Sequence, residues 1–165
     1  MLVPAKASVA DIRAIRSDTG AGVMDIKRAI EDAGGDLKTA RELLSQRGAQ
    51  VSEAKSDRET KEGLIESYIH PGRPLGALLE LNCETDFVAR TDEFRTLARD
   101  LVMHIAAIAP TRLSDADVDP DDPGEALLTQ PWFRDGSQTV EQVIQATIAK
   151  LGENIQVSRF SRFEI

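Results

Sequence analysis

Leu78-Leu-Glu-Leu-Asn-Cys-Glu-Thr-Asp-Phe-Val-Ala89 decides the fold of this 165-residue chain. Its first half alternates as a buried strand does, with Leu79 and Leu81 on one face and Leu78 and Glu80 on the other. The second half changes period. Thr85 is a good helix N-cap, Asp86 places a negative charge in the first turn, and apolar residues recur at helical spacing as far as Pro110. A strand therefore feeds a helix through a tight corner, and that corner carries an acid beside an aromatic, Asp86 and Phe87.

Phe87 has two readings. It lies seven residues before Phe94 and fourteen before Leu101, so an unbroken helix points it into the core, where rings of this size usually sit. Thr91-Asp-Glu93 reads as a fresh N-cap, which would split off a short turn of residues 85–90 and re-aim the ring. Spacing alone leaves both open.

Working outward, Leu64 to His70 reads as a strand, Pro71-Gly-Arg-Pro74 as a turn, and Leu75 to Glu84 as the returning strand of a hairpin. In the helix after the corner, Phe94, Leu97, Leu101, Ile105 and Ile108 are expected to face that sheet. Residues 111–137 read as a proline-containing acidic loop. Thr139 to Leu151 is an amphipathic helix stopped by Gly152, and residues 154–165 make a third strand.

Upstream, three short helices are expected. Ser8 and Asp11 form a capping pattern ahead of Val9, Ile12 and Ile15, and Asp18 to Gly22 breaks that helix. Val23, Ile26 and Ile30 make the second, ending at Gly34-Gly35. Asp36 caps the third, with Leu37, Ala40, Leu43 and Leu44, which ends near Gly48. The polar stretch from Gln50 to Glu62 reads as a helical extension fading into a linker. The division is a helical module over 1–55, a linker over 56–62 and an α+β core over 63–165.

Composition narrows the function. At 41% hydrophobic and 29% charged residues, the chain is typical of a soluble globular protein, and its longest apolar run, Leu101 to Pro110, is far too short to span a bilayer. A single cysteine fits a reducing cytoplasm. Residues 1–55 hold nine Lys/Arg against eight Asp/Glu, whereas the remainder holds eleven against twenty. That acidic excess argues against nucleic acid, whose phosphates need clustered Lys and Arg, and points to a protein partner.

Candidate chemistry is thin. Asp115, Asp117, Asp119 and Asp121 alternate at the spacing of calcium ligands, but the glycine and glutamate of an EF-hand loop are replaced by Pro120 and Ala126. Cys83 with His104 is a poor nucleophile–base pair, because Glu84 and Asp86 beside the thiol raise its pKa. No cofactor or metal site is expected, and no enzyme activity. The rival readings are a scaffold that uses residues 1–55 to bind ubiquitin-like folds and a cysteine enzyme.

Three stretches carry a resemblance. Leu81-Asn-Cys-Glu-Thr-Asp-Phe-Val-Ala89 closely resembles the signature of the bacterial elongation factor Ts family. Arg16-Ser-Asp-Thr-Gly-Ala-Gly-Val-Met-Asp-Ile-Lys-Arg-Ala29 is similar to its N-terminal signature, and residues 149–164 are similar to a third family stretch. Their order and their span over nearly the whole chain make the match specific.

The resemblance implies a guanine-nucleotide exchange factor for elongation factor Tu, bound in its GDP and nucleotide-free states. It implies that Thr85, Asp86, Phe87 and Val88 enter the GTPase beside its magnesium ion, which favours the re-aimed Phe87. It implies that a three-helix module resembling a ubiquitin-associated domain packs on the nucleotide domain through Arg16, Val23 and Met24. Long family members carry a second half of the core, so the chain resembles the short forms. A homodimer is expected, because the strand over 154–165 leaves a bare edge and crowds Phe160, Phe163 and Ile165 into one stretch.

Overall fold

The computed structural model describes residues 7–117 and 124–165. Ser8 accepts the Asp11 N–H and opens α1 (Val9–Thr19), which ends where Gly20 turns left-handed at φ 66°. Gly20-Ala-Gly22 then leads into α2 (Val23–Asp32), and Asp36 caps α3 (Leu37–Glu53) by accepting from Thr39 N. Ile15, Ile26, Ala29, Ile30, Ala40 and Leu44 form the small core of these helices. Val9 does not join it and is exposed. A first-turn side chain leans over the turn before its helix, beyond the other two.

Gly48 does not end α3. It is buried where α3 crosses α6 (Val140–Leu151), and a Cβ there would stand 3.9 Å from the Gln145 carbonyl. A glycine in mid-helix costs about 1 kcal/mol relative to alanine, and a methyl group here would meet Gln145 only at ordinary contact distance.

The sheet has the order β1 (Glu62–Ile69), β2 (Leu75–Cys83), β5 (Ile155–Glu164), all antiparallel, so β2 is central. The reading of an α+β chain with a small antiparallel three-stranded sheet is correct, and the three N-terminal helices fit a ubiquitin-associated-like module. Leu75, Ala77, Leu79, Leu81 and Cys83 face the core, while Leu78 points the other way. Gly63 is required where β1 passes Leu81, because at φ 156° a Cβ would lie 2.2 Å from that carbonyl oxygen.

The core is closed by α5 (Asp92–Ile108), whose Phe94, Leu97, Leu101 and Ile105 are buried as expected. Ile108 is not: it is 42% exposed, in the last turn before Ala109 goes left-handed and the helix stops. Near Ser158 a bulge shifts the β2–β5 register, from Glu80 opposite Arg159 to Leu81 opposite Val157. The extra residue lets Val157 and Phe160 both turn inward despite a three-residue spacing. Phe163 and Ile165 stay outside.

Residues 126–139, expected to be mostly loop, carry short regular elements. A short 3₁₀ turn, Leu127–Thr129, leads into the hairpin of β3 (Pro131–Trp132) and β4 (Asp135–Thr139). A two-residue strand and one of Asp-Gly-Ser-Gln-Thr carry no hydrophobic alternation. The hairpin is held instead by Trp132, buried and stacked on His104 of α5 with ring centroids 5.3 Å apart. In the acidic segment Arg112 pairs with Asp115 and Ser114 donates to Asp117, whereas Asp119, Pro120 and Asp121 lie outside the described residues.

Among the described residues no helix is long and apolar enough to cross a membrane. The helical module lies against the core through α3 and α6, and Lys55 Nζ donates to the Gly152 carbonyl at 2.8 Å.

Candidate functional site

The corner after β2 is built by two successive caps. Thr85 is extended (φ −129°, ψ 154°) and its hydroxyl oxygen accepts from Val88 N, which opens α4 (Asp86–Ala89). One turn later Thr91 Oγ1 donates to the Val88 carbonyl at 2.8 Å and accepts from Phe94 N at 3.2 Å. That second cap ends α4 at four residues and starts α5 in a new direction. The helix is therefore split, and Phe87 does not join Phe94 in the core. It is 78% exposed, while Val88 is only 9% exposed and Ala89 is buried with it. The ring stands in water on a turn whose other apolar side chains are anchored.

Asp86 lies beside it, paired with Arg90 one turn on at 2.9 Å, the arginine largely exposed and the aspartate about half so. Cys83 lies on the opposite side of the corner, fully buried, its Sγ 3.1 Å from the Thr85 carbonyl. Burial, with the charge of Glu153 adding to it, pushes the thiol up to about 11. Such a thiol is a poor nucleophile at neutral pH. His104 does not face it: the imidazole is enclosed with Gln130, Trp132 and Phe133.

Two glutamates that periodicity could not single out hold the corner from outside. Glu153 takes two bonds from Thr85, from its N–H at 3.0 Å and from its hydroxyl at 2.6 Å. Glu84 accepts the Asn154 N–H at 2.7 Å. The buried Asn154 amide in turn donates to the carbonyls of Ser56 (3.2 Å) and Arg58 (2.9 Å), in the segment that leads from α3 to β1. These contacts join positions 68 to 98 residues apart in sequence, which no local signal reports.

The other candidate residues gather at one end of the helical module. Arg16 is in the last turn of α1, with its carbonyl accepting from Gly20 N, and Val23 and Met24 open α2 just across the turn. All three are exposed, including both apolar ones.

Residues 12–125 match the family described as Elongation factor TS. The chain is 40% identical to an elongation factor Ts of Rubrobacter xylanophilus over 93% of its own length and 96% of that protein's. The chain belongs to the elongation factor Ts family.

An elongation factor Ts of Fervidobacterium nodosum is 41% identical, with 93% of this chain and 95% of that protein aligned. That of Aquifex aeolicus is 43% identical over 95% of this chain but only 52% of its own length. Within the family, then, elongation factor Ts chains differ in length, and the Rubrobacter and Fervidobacterium proteins align with this one nearly end to end.

Proposed function

We propose that the chain is a guanine-nucleotide exchange factor for elongation factor Tu in translation elongation, working in the cytoplasm. In this reading it loosens GDP by pressing the Thr85–Val88 corner against the GTPase beside its magnesium ion. The single observation that carries the reading is Phe87, a large ring held 78% exposed on a turn whose neighbours are buried. Exposing a ring at a braced corner leaves its apolar surface unused in the free protein, so its gain comes on binding.

The proposed mechanism needs no bond chemistry. Magnesium bridges nucleotide phosphates and protein oxygens and demands near-octahedral geometry, so a wedge that shifts its ligands lowers nucleotide affinity. Asp86 adds a carboxylate next to the ring, and Val88 anchors the turn from which both project. By linkage, GDP or GTP must weaken the grip of the factor by the factor's own effect on nucleotide, which permits turnover.

A second contact is assigned to the exposed end of the helical module, Arg16, Val23 and Met24. The module over 1–55, the joining segment 56–62 and the core over 63–165 then act on one GTPase from two places. The acidic core makes nucleic acid an unsuitable partner.

A homodimer completes the proposal. Across the outer face of the sheet, Ile69, Gly76 and Phe163 fall in one row, with Leu78 beside them. Ile69, Leu78 and Phe163 are all exposed, and β5 is an edge strand among the described residues. A second copy meeting this face covers both, since a two-fold contact is self-complementary.

Release of a fluorescent GDP analogue from the cognate elongation factor Tu tests the exchange reading. Wild-type chain is expected to speed release many-fold and Phe87→Ala to do so far less. No acceleration by the wild-type chain overturns it.

A further inference from the structure

Helix α4 has four residues, too few to hold its own direction in water. Its internal cap is long, with Val88 N 3.4 Å from Thr85 Oγ1. The pose of Phe87 must therefore be set from outside α4. Burial of Val88 and Ala89 fixes one side of the turn. The other side is fixed by Glu153, whose two carboxylate oxygens take both the N–H and the O–H of Thr85. Bonds to an ionised acceptor are the strong class, and the 2.6 Å hydroxyl contact has the expected short length.

The arrangement is reciprocal. Glu84 takes the amide of Asn154, the residue after Glu153, while Glu153 takes the amide of Thr85, the residue after Glu84. Each glutamate thus pins the start of the other's neighbour, and the two chain segments cannot slide or rotate separately. Asn154 passes the brace on to Ser56 and Arg58, and so to the end of the helical module.

We infer that Glu153 is a positioning residue for nucleotide exchange: it holds Thr85, and through it Phe87, in the pose offered to the GTPase. The inference rests on the exchange reading above. Glu153 itself carries no contact to the GTPase in this scheme, so its loss must act only through the corner.

The test measures release of a fluorescent GDP analogue at rising factor concentration for wild type, Glu153→Gln and Glu153→Ala. The alanine variant is expected to lower the maximal rate at least ten-fold, because it removes both bonds to Thr85 and one charge-assisted hydrogen bond alone is worth about that factor. The half-saturating concentration should move much less. Glutamine keeps one acceptor oxygen and should fall between the two. Adding Glu153→Ala to Phe87→Ala should cost little more than Phe87→Ala alone, because the pose of an absent ring cannot matter. A wild-type maximal rate in Glu153→Ala, or losses that multiply in the double variant, overturns the inference.

Amide hydrogen exchange of free Glu153→Met, which keeps the side-chain length but offers Thr85 no oxygen acceptor, supplies a second readout, which also decides the matter if the alanine variant does not fold. Faster exchange at Thr85, with the α5 amides unchanged, supports the brace, and wild-type protection at Thr85 overturns it. If the wild-type chain itself leaves nucleotide release unchanged, the exchange reading fails, while the Thr85 amide still reports whether Glu153 holds the corner.

Discussion

Phe87 and Val88 are adjacent on a single helical turn and face opposite media, one 78% exposed and the other 9%. The pair separates two properties that usually travel together, stability and apolar size. Truncating Phe87 should leave the melting temperature almost unchanged and sharply slow nucleotide exchange. Phe94→Ala is the control. Its ring is fully buried, and such a change costs about 3–5 kcal/mol. Comparable thermal losses in the two variants would return Phe87 to a structural role.

Asp86 offers a weaker structural case still. Its pair with Arg90 is a solvent-accessible i,i+4 contact, a class worth about 0.3–0.5 kcal/mol. Asp86→Asn should therefore fold like wild type and exchange nucleotide more slowly. If its exchange rate equals that of wild type, the carboxylate serves only the helix.

Why was the corner legible while its brace was not? Thr85 and Thr91 are local caps, and each acts on an amide three residues away. A reader of sequence sees both, and the second cap is what splits the helix. Glu153 acts across 68 residues, and although it lies in the family-like stretch 149–164, no local spacing says that it holds Thr85. The β3–β4 hairpin hid for another reason: tertiary stacking on His104 replaces the alternation that a strand normally shows. Ile108 and Val9 fit a helical stripe by spacing, but each sits at a helix end, where the stripe outruns its partner.

His104 gives the fold a pH dependence. Gln130 Oε1 is 3.0 Å from Nε2, and Phe133 N donates to Nδ1 at 3.4 Å, so the neutral Nε2–H tautomer satisfies both. Burial holds its pKa below the usual histidine value, opposed by the Gln130 bond. Charges nearby are Glu125 behind Gln130, Arg134 over Phe133 with Asp100, and Arg162 at the Ala106 carbonyl. The unfolded chain then takes up a proton before the folded one does. This contribution to stability is present above the ordinary histidine pKa of about 6.5 and is lost as pH falls below it. The melting temperature should drop between neutral and mildly acidic pH, with Trp132 fluorescence following. His104→Gln should flatten that slope, and an unchanged slope assigns it to other groups.

The homodimer makes the last prediction. Phe163 is 70% exposed opposite Gly76, and Ile69 flanks the same glycine from β1, so the two side chains border a shallow gap above it. A Cβ on Gly76 would come within 2.8 Å of Ile69 Cδ1, which shows that Ile69 already leans over the glycine. The polar end of the same face is different, because there Arg159 pairs with Glu80 within the chain at 2.7 Å. An aspartate at position 163 puts a charge among Ile69 and Leu78, and in a two-fold contact that charge is present twice. Phe163→Asp should therefore be monomeric by light scattering at micromolar concentration and keep its fold, since the native ring makes little of the core. Glu80→Gln, at the polar end, should stay associated. A monomeric wild type with full exchange activity would show that this face serves something other than a second copy.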